Sequence, residues 1–361
     1  MTDLVLAVSL GEAIDKLTIL DIKVEKISDG RKEDCLKEYN VLYESLKHYV
    51  LQHNYYYRIL KEINLTIWNL QDNIHKDTNL TKTYGKVLKE NDRRFRVKKK
   101  INEAANSNLK EQKGYAKTKA FIYTHLGLGD FFWMNGAIRY LSTCYDETVV
   151  VCKKNNEAVV SSMYADDSSI KLFVINDDIE LYPFVSRKIY FEDEGYKVYS
   201  CGYHREKPYI YEFPHSFYDD MSLQRKIRTD YFYVPTYNES IDLLEKVQAV
   251  SKDYILLHQN SSQKSLDIFS KLTTDLPVLD INNNNYPTDH KFYEIASLVV
   301  NQPMLIYKCL IESAKEIHCL ESSFYCFASH LDVSKVDKRI CYEPYDNSAE
   351  RIGVFRNGSL F

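Results

Sequence analysis

The sequence of 361 residues has no CxxC pair, no apolar run approaching the ~20 residues that cross a bilayer, and no surplus of positive charge. Each absence excludes something. The eight cysteines (Cys35, Cys144, Cys152, Cys201, Cys309, Cys319, Cys326 and Cys341) are scattered through runs such as TVVVC and EIHCLESSFYCFA. There a thiol acts as a small buried hydrophobe, so neither a disulfide framework nor a zinc site is expected. A net charge of -4 gives no general pull toward nucleic acid or an anionic membrane. The opening MTDLVLAVSLGEAIDK lacks a basic region ahead of its apolar stretch, so no signal peptide is expected and the compartment reads as cytoplasmic. The sequons at Asn64 and Asn79 then carry no weight. What is present is ordinary for a globular chain: 45% hydrophobic and 27% charged residues, over a length that points to two or three domains.

The first third reads as helical. Ser9-Leu10-Gly11-Glu12 matches a capping box, and behind it Ile14, Leu17, Leu20, Val24 and Ile27 recur every three or four residues up to Asp29-Gly30. A longer stripe follows: Leu36, Tyr39, Tyr43, Leu46, Val50, His53, Tyr57 and Leu60 alternate steps of three and four, which is a heptad seam. Its phase slips and resumes at Ile63, Ile67, Leu70 and Ile74, predicting one helix of about ten turns antiparallel to the first. Such a stripe is compatible with a homodimer. A third helix is expected over 81–111, carrying the basic run Arg93 to Lys100. A phosphate- or nucleic-acid-binding face competes there with a solvated face, and the acidic flanks favour the solvated one. SLGEAIDKLTILDIKVEKI followed by NDRRFRVKKKINEAANSNLKEQKGY resembles an uncharacterised all-helical family of bacterial and viral proteins. That resemblance spans about residues 9 to 115 and implies a domain boundary rather than an activity.

From Lys119 the period changes. Ala120 to Thr124 is a β-rich run, then comes His125-Leu126-Gly127-Leu128-Gly129-Asp130, then a helical stretch. Strand, glycine turn and helix open a doubly wound unit, repeated by the run Thr148 to Cys152, a helix from Asn156 to Tyr164, and the run Ile170 to Ile175. GLGD is not the dinucleotide fingerprint, so no nicotinamide cofactor is expected. Residues 176–235 are harder to parse, with an aromatic strand at Lys188 to Phe191 and a turn at Glu194-Gly195. After a helix over 239–250, Tyr254 to His258 starts a second unit with the polar loop Gln259 to Lys264. A strand over Pro277 to Ile281 and helices near 290–300 and 303–314 lead to the strand Glu316 to Leu320. There Glu321-Ser322-Ser323 turns directly into a helix from Phe324 to Leu331, a setting that suits a phosphate or an ordinary helix cap.

The order of these parts resembles the GT-B fold, and within it the heptosyltransferase-like sugar transferases. The fold class expected is therefore α/β, with two Rossmann-like domains in GT-B arrangement over about 116–238 and 239–345, behind an all-helical segment over 1–115 and before a tail over 346–361. The resemblance implies transfer of a sugar from a nucleotide sugar to a glycan or other hydroxyl acceptor. It gives Asp130 the base role, with His125 in reserve because its pKa suits proton transfer near neutrality. On the donor side its late loop corresponds to Glu321, Ser322 and Ser323, and the polar loop of the second unit, with His258, Asn260, Ser261, Ser262 and Lys264, is expected to close over the other side of the donor. Gly127, Gly129, Asn135 and Arg139 fall on the acceptor side, though a solvated helix face explains the last two equally well. Those enzymes often carry a histidine on the helix after the late loop, and here Cys326 stands in its place. No aspartate pair sits where a metal-dependent transferase needs one, since Asp166-Asp167 and Asp177-Asp178 read as turns, so neither metal nor other cofactor is expected. A scaffold with a degenerate transferase half, or a sugar-nucleotide epimerase of the same architecture, are the competing readings.

Overall fold

A computed structural model describes residues 6–74, 79–114, 116–181, 192, 194–202, 213–262, 264–342 and 350–352. Four helices come first: α1 (Leu10–Lys26), α2 (Arg31–Gln52), α3 (Asn54–Asp72) and α4 (Leu80–Ala104). The long helix expected from the heptad stripe is thus two. His53 leaves helical geometry at φ -114° and ψ 33°. The break redirects the stripe: Leu46 and Val50 pack with Leu17 of α1, whereas Tyr55, Ile59 and Leu60 join the main core of the chain. Ser9 caps α1 through the Glu12 N–H at 3.3 Å. Glu12 does not reach back as a capping box requires, because its carboxylate is taken by Lys98.

Most of the basic run on α4 is spent on pairs within the chain rather than forming a solvated or nucleic-acid-binding face. Its side chains divide by helical spacing. Arg94 and Lys98, one turn apart, face α1, where Arg94 grips Asp15 with two nitrogens and Lys98 pairs with Glu12. Arg93, Arg96 and Lys100 face the sheet region. There Arg93 donates to Thr143 (3.0 Å) and Tyr231 (2.6 Å), Arg96 pairs with Asp146 (3.0 Å), and Lys100 pairs with Asp167 (2.6 Å). The two motifs of the helical resemblance therefore hold each other, through the Arg94–Asp15 and Lys98–Glu12 pairs and through the Gly11 N–H, which donates to Asn102 at 2.7 Å, while Asn64 of α3 donates to Asp15 and Thr18.

The first sheet comprises β1 (Lys119–Tyr123), β2 (Glu147–Lys153), β3 (Ile170–Ile175) and β4 (Tyr196–Ser200), all parallel in the order β3-β2-β1-β4. Helix α5 (Leu128–Cys144) crosses from β1 to β2, and α6 (Glu157–Met163) from β2 to β3. Helices α7 (Phe213–Asp220) and α8 (Ile227–Asp230) precede α9 (Asn238–Val250), which opens the second half. The strand expected at Lys188 to Phe191 lies outside the described residues. The second sheet holds β5 (Ile255–His258), β6 (Val278–Asp280), β7 (Glu316–Leu320), β8 (Lys338–Tyr342) and β9 (Glu350–Ile352), in the order β6-β5-β7-β8-β9 with only β9 antiparallel. Between β6 and β7 lie α10 (Tyr293–Val299) and α11 (Lys308–Ser313), and between β7 and β8 lies α12 (Ser323–Ala328).

Parallel strands covered on both faces explain why the apolar runs of the sequence are continuous rather than alternating. One core joins all three parts. It runs from Tyr55 and Ile59 through Phe131 and Phe132 of α5 into Phe324 and Phe327 of α12, where the Phe132 and Phe327 rings stack at 4.8 Å. Among the described residues no helix is long and apolar enough to cross a membrane.

Candidate active site at the meeting of two strand-order reversals

In an open parallel sheet, ligands bind where neighbouring strands send their crossovers in opposite directions, because the loops there diverge and leave a crevice. The first sheet reverses between β1 and β4, and the second between β5 and β7. At the first reversal His125, just after β1, places its Nε2 2.9 Å from the Gly202 carbonyl just after β4. A carbonyl only accepts, so Nε2 carries the proton. Gly202 has φ +84°, and a Cβ there would lie 2.6 Å from the Phe217 ring and 3.0 Å from the His125 ring. Only glycine fits that close approach. At the second reversal Ser322 Oγ lies 3.4 Å from His258 Nδ1 and donates to the Leu320 carbonyl at 3.2 Å.

The two reversals face each other. A Cβ on Gly129, in the first turn of α5, would lie 3.0 Å from Cys326 Sγ and 3.7 Å from Ser323 Cα at the start of α12. Asp130 sits beside this contact. Its carboxylate accepts from the Gly127 N–H, as the third residue of a capped helix does. Burial raises its pKa above the usual carboxylate range, against opposing pulls from His125, the Gly127 N–H and Lys153. Burial also pushes the Cys326 thiol well up, with the Asp130 charge adding to the effect, so the sulfur stays protonated and brings no charge to the contact.

The other expected site residues divide. Gly127 and Gly129 form the turn into α5, with Gly127 as its N-cap in extended conformation. Ser322 occupies the N-cap position of α12 at φ -164°, but its hydroxyl makes no capping bond to the helix. Glu321 is partly exposed, and its N–H donates to the Tyr342 carbonyl at 3.2 Å. Asn260, Ser261 and Lys264 build their own turn: the Ser261 N–H donates to the Lys264 carbonyl (2.8 Å), the Lys264 N–H to Ser261 Oγ (3.0 Å), and Asn260 binds Ser265. Ser262 is exposed in that turn.

Three expectations need correcting. Asn135 and Arg139 are on neither a solvated face nor an acceptor surface. Asn135 is fully buried and accepts from the Tyr233 N–H at 2.9 Å. Arg139 is 1% exposed and spends its guanidinium on Asp166, Met163 and Tyr233. His258 is 6% exposed and stacked on Phe324 at 5.1 Å, so it supports the Ser322 turn rather than presenting a face to a donor.

Burial takes the His258 pKa down to about 4. Its folded value thus lies below its unfolded value near 6.5, and the unfolded chain binds the proton first. Stability is expected to fall by roughly 3 kcal/mol as pH drops from about 6.5 to about 4. His258→Phe, which keeps the stacking, should flatten that part of the pH profile of urea unfolding midpoints. An unchanged slope would mean that the imidazole is open to solvent.

Sequence reasoning missed four contributors. Lys153 ends β2 within electrostatic reach of Asp130 and pairs with Asp178 at 3.1 Å. Asn156 donates to the Leu126 carbonyl at 2.9 Å, which fixes the first loop. Asn282 accepts from the N–H groups of Gln259 and Asn260, and Gln259 donates to buried Asp280 at 2.7 Å, which fixes the loop after β5. The residue types alone gave no signal, since each works through a loop remote in sequence. Cavities of about 620 and 640 Å³ lie elsewhere, the first against Tyr237 and Met304 and the second against Tyr55 and Lys308. Volume and chemistry thus point to different places. The convergent polar groups lie on the strand-end loops.

No known family's sequence profile matches the chain, and no curated protein sequence does. Among known structures it is similar to the iron-containing dodecameric glycosyltransferase TibC from enterotoxigenic E. coli H10407, at 13% identity and TM-score 0.37 over 64% of this chain and 60% of that one. It is also similar to the dodecameric iron-containing heptosyltransferase TibC in complex with ADP-D-beta-D-heptose, at 12% identity and TM-score 0.37 over 65% of this chain and 61% of that one. A family 9 glycosyl transferase from Veillonella parvula DSM 2008 matches at 10% identity and TM-score 0.38, over 63% of this chain and 86% of that one. The chain thus spans about three fifths of the length of the TibC structures. Likenesses this remote add nothing to the strand orders and distances above.

Proposed function

We propose that the chain is a glycosyltransferase of GT-B architecture that moves a sugar from a nucleotide-sugar donor to a hydroxyl of a glycan or other acceptor, with no metal or other cofactor. The supporting observation is the meeting of the two reversals, with Asp130 and Gly129 on one side and Ser323 and Cys326 on the other. In the proposed reaction the acceptor oxygen bonds to the anomeric carbon, the bond from that carbon to the diphosphate breaks, and the acceptor proton passes to Asp130. A carboxylate raised by burial suits that role, because a base works best when its pKa approaches the working pH. The leaving diphosphate carries the charge that develops. With a neutral thiol at Cys326, its stabilisation falls to the hydroxyls of Ser322 and Ser323 and to Lys264, with Lys153 nearer the base.

The test is thermal stability against a panel of nucleotides and nucleotide sugars. A ligand at 100 times its Kd adds about 2.7 kcal/mol. One nucleotide family should shift the wild type, and Ser322→Ala/Ser323→Ala should lose that shift. One observation favours a non-catalytic scaffold instead: Cys326 fills the contact with Gly129 where an imidazole would have to fit. No shift with any nucleotide would support that second reading. A shift accompanied by a rearranged sugar nucleotide, and no transfer, would support an epimerase.

A further inference from the structure

A basic recess lies at the other end of the first sheet, beside the first residues of β2 and β3, where α4 packs against it. From the C-terminal ends of the strands it is separated by the length of β2, roughly 20 Å for seven residues. Its volume is about 170 Å³. That is several times the ~30 Å³ of a water molecule and too small for a nucleotide sugar.

The charges around it do not cancel. Arg96 is spent on Asp146, and Lys100 on Asp167 and Ser169. Glu147 accepts from the Tyr196 hydroxyl at 3.0 Å. Glu103 accepts from Ser168 at 2.8 Å, with Lys99 a loose 3.8 Å away. Lys117 and Lys171 also line the recess, and neither makes an ion pair among the described residues. Taken together, Arg96, Lys99, Lys100, Lys117 and Lys171 outweigh the carboxylates of Glu103, Asp146 and Glu147, with Asp167 behind Lys100, so the recess keeps a net positive charge of about one. The wall behind them, held by the Lys100–Asp167 pair, is rigid: those side chains are 5% and 1% exposed.

We infer that this recess binds a small phosphate anion, with Lys117 and Lys171 as its charge donors, at the seam between the helical segment and the first sheet. Ammonium groups act as point charges toward phosphate, while the Ser168 and Ser169 hydroxyls already donate to Glu103 and Asp167. This site is independent of the proposed transfer reaction and of the Ser322–Ser323 turn.

The experiment is calorimetric titration of the full chain with inorganic pyrophosphate and, separately, inorganic phosphate, at constant ionic strength. Pyrophosphate can also reach the proposed diphosphate turn, so Ser322→Ala/Ser323→Ala should keep the binding event that the lysine variant loses. Lys117→Ala/Lys171→Ala, which changes two exposed side chains, should bind at least about tenfold more weakly. Equal affinity in the lysine variant, affinity lost instead in the serine variant, or no binding by the wild type of either anion would each overturn the assignment.

Discussion

Asp130→Asn is expected to slow the proposed sugar transfer by about 10²- to 10⁴-fold, the usual worth of a positioned general base, while leaving donor binding nearly unchanged. The substitution isolates charge from shape. An asparagine oxygen can still accept from the Gly127 N–H, so the turn into α5 keeps its closing bond. What disappears is the group that takes the proton. Burial holds the Asp130 pKa above its unfolded value, so the folded chain prefers the neutral acid. Stability from this residue is therefore greatest at low pH and declines as pH rises through the interval between the unfolded and the folded pKa. At neutral pH the carboxylate is a desolvated charge, and its removal should leave the melting temperature level or raise it. A rise in stability with a collapse in turnover is the signature of a functional group held at a cost to the fold. Unchanged turnover would reduce Asp130 to a helix cap and leave the reaction without a base.

The same residues show where sequence reading works and where it stops. Strands β1, β2 and β7 were legible almost to their ends, because a parallel strand covered on both faces reads as an apolar run bounded by turn residues, and β3 was legible too although Lys171 and Phe173 leave one of its faces exposed. Strand β4 was not, since Tyr196-Lys197-Val198-Tyr199-Ser200 mixes polar and apolar residues and only Val198 among them is buried. The break at His53 was hidden for a different reason. The stripe stays in phase across it, and only the position of the sheet body, which Tyr55 and Tyr56 must reach, requires a change of direction. The basic run on α4 shows the limit most clearly. Its charges were visible, but the partners Asp15, Asp146 and Asp167 are each at least 46 residues away, and nothing local joins them. For the site, the glycine turn and the Ser-Ser turn could be located from local pattern. That Gly129 touches Cys326 could not, because that contact exists only once two sheets are assembled.

Arg139→Met should cost about 3–5 kcal/mol of stability, the loss expected when one partner of a buried ion pair is removed. The stretch FFWMNGAIRYL is apolar on every side, which marks a helix enclosed all round, and Arg139 is its one strong charge. Its nitrogens reach both Asp166 oxygens at 2.7 and 2.8 Å, the Met163 carbonyl at 2.7 Å and the Tyr233 carbonyl at 3.0 Å. The guanidinium also lies 4.9 Å from the Tyr233 ring centre and 5.3 Å from that of Tyr164. Methionine fills most of the stem's volume, so the penalty comes from what is left behind: two carbonyls without a donor, and Asp166 with only the Tyr56 hydroxyl at 2.6 Å. Because α3, α6 and the segment before α9 all meet at this one group, the loss should appear as a single lowered urea midpoint rather than as local fraying. Adding Asp166→Asn should recover a large part of it, since the stranded charge goes too. An acceptor-contacting arginine would behave in the opposite way. Its loss would raise the KM for the acceptor and leave the unfolding midpoint where it was, and that result would return Arg139 to the active site.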